Sequence, residues 1–243
     1  MKDCEQHAAA FHTTRWSVVA RAAASENPDA HAALAETCRD YWPPLYAFAR
    51  RSGLTQPDAE DLTQSFFAEL IERNKLAAAE PSRGRLRTFL LTAFRHHIAD
   101  AAKRERTQRR GGGSALLSLD GAEEGARALE PIEHETPETL YYRRWAMLLL
   151  ERALDQLDAE RTAAARGAEM EVLRPFLGFA ATGADTYAEA AAQLGWTVNA
   201  VRVAVFRLRA RYRALLLDLI AATLHDETPA VVEAELRDLL AAL

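Results

Sequence analysis

The residues best able to do chemistry in this chain are arginines, and they fall in two clusters. Arg83 to Arg110 holds nine bases (Arg83, Arg85, Arg87, Arg95, Lys103, Arg104, Arg106, Arg109, Arg110) against two acids, Asp100 and Glu105. Phe89, Phe94, His96 and His97 interleave with them. Such a cluster neutralises phosphates, and rings offer flat partners to unstacked bases. A solvated helix face carries the same charge run, and helical spacing suits Phe89 and Phe94 to a core. The second cluster, Val198 to Arg213, has five arginines and no acid. On a helix its reading face is Asn199, Arg202, Val203 and Phe206, near the N-terminus where base edges are met. Arg207, Arg209 and Arg213 are placed for phosphates. His96 and His97 are neighbours and point to different helix sides, so they do not easily share a metal. No nucleophile–base set, phosphate loop or HExxH pattern is present. No catalytic residue, metal or cofactor is therefore expected.

A helix-turn-helix would position the second cluster. Thr186 and Glu189 have capping-box spacing for a first helix. Gly195 supplies a left-handed turn residue, and Thr197 can cap the second helix. Val198, Val201, Val205 and Leu208 share one face of that helix and leave Arg202, Arg209 and Arg213 on others. This pattern over residues 185–213 suits a recognition helix in the DNA major groove. For the first cluster, Leu86 to Arg106 reads as one long helix with Phe89, Leu90, Phe94 and Ile98 as its apolar positions.

The chain has 243 residues, nearly half apolar. Ala and Leu dominate over strand formers, so the expected class is all-α with two small domains. Net charge is −5, but it is segregated, and local patches decide partners. Cys4 and Cys38 lack metal-ligand spacing and read as free thiols of a reducing compartment. No long uncharged apolar run or apolar leader is seen, so a cytoplasmic protein without a membrane partner is expected.

Domain boundaries follow composition. Residues 1–110 form the first block. Thr13 to Ala24 and His31 to Arg51 are helical, with Pro43 and Pro44 expected to interrupt or kink the latter. A further helix starts at Pro57 with Asp58, Glu60 and Asp61 in its first turn, and turns Leu62, Phe66 and Leu70 inward. Residues 111–138 open with Gly111–Gly113. From Asp120 to Glu138 they hold seven acids against Arg127, which marks a solvated linker. Residues 139–227 form the second block, with helices over Tyr142–Leu157 and Glu169–Phe179. Residues 228–243 are an amphipathic tail, expected to extend the second domain's core or to fold back on the basic recognition helix.

In order and spacing these segments resemble bacterial sigma factors of the extracytoplasmic-function (ECF) group. DAEDLTQSFFAELIE at Asp58–Glu72 looks like the group's second conserved region, which docks on the clamp helices of core RNA polymerase. LRTFLLTAFRHHIADAAKRER at Leu86–Arg106 is similar to the segment that melts and reads the minus-ten element. GWTVNAVRVAVFRLRARYRAL looks like the fourth region, which reads the minus-thirty-five element. TTRWSVV, RRGGG and YRRWAMLLLERAL resemble one ECF subgroup. Arg95–His96 stands where the commoner pattern has arginine–asparagine, and Phe89 where a tryptophan is common.

The resemblance implies a transcription initiation factor without catalytic activity, which recruits core polymerase to a promoter subset. Asp61, Gln64, Glu69 and Glu72 would provide the polar docking face. Arg83, Arg85, Arg87, Arg95, His96, Lys103, Arg104 and Arg106 would meet the minus-ten strand, with Lys75–Gly84 forming part of a pocket for an extruded base. The acidic linker would lie in a basic channel of the polymerase. Promoter DNA, duplex and single-stranded, is the second partner. An anti-sigma factor and a kinase both stand as candidate regulators. A conventional helix-turn-helix regulator binding duplex DNA without polymerase, or a helical adaptor, would explain parts of the pattern.

Overall fold

The computed structural model describes residues 28–72, 85–110, 135–178, 184–224 and 228–243. The expected helix at Thr13–Ala24, the loop Lys75–Gly84 with Arg83, and the linker through residue 134 lie outside them. Every regular element among the described residues is helical, as expected of an all-α chain. In order these are α1 (Pro28–Arg51), α2 (Gln56–Glu72), α3 (Leu86–Arg110), α4 (Pro137–Ala163), α5 (Gly167–Leu173), a 3-10 turn (Arg174–Leu177), α6 (Ala184–Leu194), α7 (Val198–Ala221) and α8 (Pro229–Ala241). Among them no helix is long and apolar enough to cross a membrane.

Two compact units form. One comprises Met1–Ala146 together with Ala221–Leu243, the other Met147–Ile220. The divisions fall inside α4 and at the end of α7 rather than in the acidic linker. The reason is packing. Tyr141 and Trp145, early on α4, are buried in the first unit. The Trp145 indole N–H donates to the Tyr41 hydroxyl at 3.1 Å, and the Tyr141 hydroxyl donates to the Arg87 carbonyl at 2.9 Å. The tail helix α8 clusters with this first unit rather than with the second.

The first unit is organised by rings. Phe66 of α2 packs edge-on against Phe94 of α3 (centroids 5.1 Å), and Phe94 against Phe48 of α1 (6.2 Å). Such pairs add about 0.5–1.5 kcal/mol each beyond area burial. Leu45, Leu70, Leu86 and Leu90 fill the space between. Pro43 and Pro44 do not end α1, which runs unbroken to Arg51. Tyr41 and Leu45, on either side of the prolines, are buried and hold both halves of the helix in the core. The turn to α2 needs Gly53, at φ +90°, and Thr55 then caps α2 by accepting from the Asp58 amide.

In the second unit Met170, Leu173 and Phe176 meet Ala190 and Ala191 of α6 and Val201, Val205 and Leu208 of α7, all buried. Phe176 lies 4.6 Å from the Tyr187 ring. Helix α5 stops where Pro175 follows, because proline lacks the amide that would extend it, and the chain tightens into a 3-10 turn.

Candidate nucleic-acid interfaces

The turn between α6 and α7 is built as its residues predict. Gly195 takes φ +66°, the Trp196 amide donates to the Ala191 carbonyl (2.9 Å), and the Gly195 amide to Ala192 (3.4 Å), a Schellman closure. Thr197 Oγ1 then accepts from the Ala200 amide at 3.2 Å and starts α7. Helix α6 begins at Ala184, so Thr186 lies within its first turn rather than before it.

Once α7 is set, its faces separate. Val201, Val205 and Leu208 point inward, while Val198 is exposed. Asn199, Arg202, Val203 and Phe206 share the exposed side. Phe206 is 74% exposed and Val203 42%, unusual for apolar residues on a helix with a filled core. The Arg202 guanidinium lies 5.8 Å from the Tyr187 ring, which holds it near the helix start. Arg207 and Arg213 are exposed. Arg209 donates from Nε to the Phe176 carbonyl at 2.8 Å, so part of its donor set is spent on the fold. Arg211 grips Glu160 with both Nε and a terminal nitrogen. That hydrogen bonding holds the Glu160 carboxyl below its ordinary value, against a small opposing effect of burial. A groove of about 830 Å³ runs beside α7, lined by Leu157, Trp196, Ala200, Val203, Ala204 and Leu208.

The arginines at and beside α3 divide differently. Arg95 and His96 are exposed, and Arg95 lies 3.3 Å from Glu138 at the start of α4. Lys103 and Arg104 are exposed beside Asp100 and Thr107. Arg106 is in the helix, and Arg83 is outside the described residues. Arg87, expected on the DNA side, is an interior residue at 8% exposure. It shares the α3 stripe of Leu90, Leu91 and Phe94, three, four and seven residues on, and that stripe faces the core. Its guanidinium sits 4.8 Å from the Tyr142 ring and 5.0 Å from Trp145, and its Nε donates to Glu235 Oε1 at 2.6 Å. Burial works against its charge, but the Glu235 hydrogen bond and charge outweigh it, and its pKa is raised.

Arg85 completes this cluster. Its Nε lies 2.7 Å from Glu235 Oε2, off the line of a formed hydrogen bond, so that contact is Coulombic. A terminal nitrogen donates to Asp238 at 2.9 Å. In the sequence Glu235 reads only as one of the tail's acids, with no hint of Arg85 and Arg87 as its partners. The signal was present: Val232, Glu235, Leu236 and Leu239 share one stripe of α8, and a carboxylate on an apolar stripe needs a buried cation.

On α2, Asp61, Gln64 and Glu72 are exposed. Glu69 is half-buried instead, because His97 Nδ1 contacts its carboxylate at 2.9 Å while Nε2 meets Ser65 Oγ at 2.9 Å. Ile71, 46% exposed, adds an apolar residue beside the polar ones. Among the described residues no group of three or more His, Cys, Asp or Glu could hold a metal ion.

A helix-turn-helix whose second helix carries exposed arginines, and a separate helical unit with a second basic helix, define a nucleic-acid-binding protein of the all-α class. The family model described as ECF sigma factor matches residues 47–216, and the chain belongs to that family. It is thereby a sigma factor of transcription initiation, whose partners are core RNA polymerase and promoter DNA, in a family of initiation factors rather than enzymes. Searches of curated proteins and of solved structures returned no match.

Proposed function

We propose that the chain docks on the clamp helices of core polymerase through the exposed Asp61, Gln64 and Glu72 of α2, and there directs promoter choice in the cytoplasm. Arg95, His96, Lys103, Arg104 and Arg106, with Arg83 and Arg85 at the approach to α3, hold the opened minus-ten strand. Asn199, Arg202, Val203 and Phe206 read the minus-thirty-five element in the major groove, and Arg207, Arg209 and Arg213 meet its phosphates. The polymerase supplies the chemistry. The observation that carries this reading is the exposed Asn199–Arg202–Val203–Phe206 face on a capped helix, where a 74% exposed phenylalanine has no role in the core. An apolar ring in a major groove contacts thymine methyls.

The test is binding of the purified chain to bacterial core RNA polymerase, with Asp61→Arg alongside. Saturable binding weakened by the substitution is expected. Tight duplex-DNA binding with no affinity for polymerase would replace this reading with that of a conventional regulator.

A further inference from the structure

The groove of about 830 Å³ beside α7 is walled as well by the end of α4 and the start of α5, all within the second unit. Leu157, Trp196, Ala200, Val203 and Leu208 give it an apolar surface, and that size and lining suit one small ligand. Four arginines and two glutamates complete the wall. Glu160 is taken by Arg211, and Glu169 by a terminal nitrogen of Arg161 at 2.9 Å. Arg166 and Arg207 are left exposed, with no ion pair among the described residues. The Nε of Arg161 is buried and has no acceptor, and a buried N–H in that state costs stability until something accepts from it. The turn that closes α4 fixes two of these arginines together. The Arg166 amide donates to the Arg161 carbonyl at 2.8 Å, and Ala165 takes φ +57°, uncommon for a residue with a side chain.

Unpaired guanidiniums, an orphaned donor and an apolar wall describe one chemistry, an anionic head on an apolar body. We infer that this groove binds a small amphipathic carboxylate. Its head draws on Arg161, Arg166 and Arg207, since a carboxylate offers about four lone-pair sites and matches the guanidinium fork. Its apolar chain lies along Leu157, Trp196 and Leu208. Glu160 and Glu169 oppose it little, because each is already neutralised by an arginine. Val203 and Arg207 belong also to the proposed minus-thirty-five face. A ligand held there takes both from DNA, so the carboxylate acts as an effector that weakens promoter contact. This effector step rests on the proposed reading of α7, whereas the binding step does not.

The experiment titrates the full-length chain with dansyl-labelled undecanoate, below its micelle concentration, and follows dansyl fluorescence. Saturable binding, displaced by unlabelled decanoate, is expected. Arg166→Ala should weaken it about tenfold, the value of one charge-assisted hydrogen bond. Arg166 is exposed and makes no side-chain contact that the fold depends on, so this variant keeps its structure. Ala200→Glu, which puts a carboxylate on the exposed wall, should weaken binding as well. The methyl ester of the probe has the same chain without the charge and should bind about tenfold more weakly. Binding that does not saturate, an affinity unchanged in Arg166→Ala, or an ester that binds as well as the acid overturns the inference. A second arm measures random-sequence duplex DNA binding by anisotropy with and without decanoate. DNA affinity should fall with decanoate in the parent and not in Arg166→Ala at the same concentration. Probe binding with DNA affinity unmoved keeps the site and overturns its role as an effector. Loss of probe binding with DNA binding intact removes the site and leaves the reading of α7 standing.

Discussion

Replacing Glu235 with alanine removes one member of a buried ion pair and leaves the other in place. Glu235 is 0% exposed, and Arg87, its partner at 2.6 Å, is 8% exposed. Truncating one side of such a pair costs about 3–5 kcal/mol, because the remaining charge is desolvated without compensation. The rings of Tyr142 and Trp145 still face the guanidinium and each retain about 0.5–2 kcal/mol of attraction. The loss should then sit near the lower end, about 3 kcal/mol. With a urea dependence of about 2 kcal/mol per molar, the unfolding midpoint of the first unit falls by about 1.5 M. Trp42 and Trp145 report on that unit once Trp16 and Trp196 are both replaced by phenylalanine. The companion variant Arg87→Met with Glu235→Leu removes both charges and should recover most of the loss, since apolar replacements of buried pairs are commonly neutral or stabilising. A loss below about 1 kcal/mol in Glu235→Ala would refute the reasoning, as that is the value of a solvated surface pair.

Thr197→Ala deletes the cap of α7 and should destabilise the second unit by about 1 kcal/mol, read by thermal unfolding. Arg207→Ala should leave stability within about 0.5 kcal/mol of the parent. It should also reduce the log–log salt slope on random-sequence duplex DNA by about 0.9. An unchanged slope would remove Arg207 from the phosphate contacts. The Glu160–Arg211 pair carries a pH signature. Because the folded carboxyl lies below its ordinary value of 4.5, its stabilisation is complete above that value and disappears as pH falls through the lowered one. The pair is exposed, so the effect is under about 1 kcal/mol. Glu160→Gln should be less stable than the parent at neutral pH and equal to it in strong acid, and a difference that persists in acid would contradict the assignment.

Local chemistry was legible in the order of residues. Gly195 and Thr197 specify the turn and cap of α7 because a left-handed glycine and a hydroxyl acceptor act within a few residues of their own position. The apolar spacing of Val201, Val205 and Leu208 exposed the opposite face, so Asn199, Arg202, Val203 and Phe206 could be named without a fold. The all-α class followed from composition and spacing for the same reason.

What the sequence could not decide was which charge meets which across the chain. Arg87 and Arg95 look alike in a basic run, yet one is enclosed by Tyr142, Trp145 and Glu235 and the other is exposed. Arg87 and Glu235 are 148 residues apart, and no local rule pairs them. Glu69 reads as a surface acid until α3 brings His97 against it. The tail reads as an amphipathic helix in search of any apolar face, and only tertiary packing assigns it to the first unit. Periodicity is a property of neighbours and survives in the sequence. Burial of a charge depends on a partner that only the folded chain delivers.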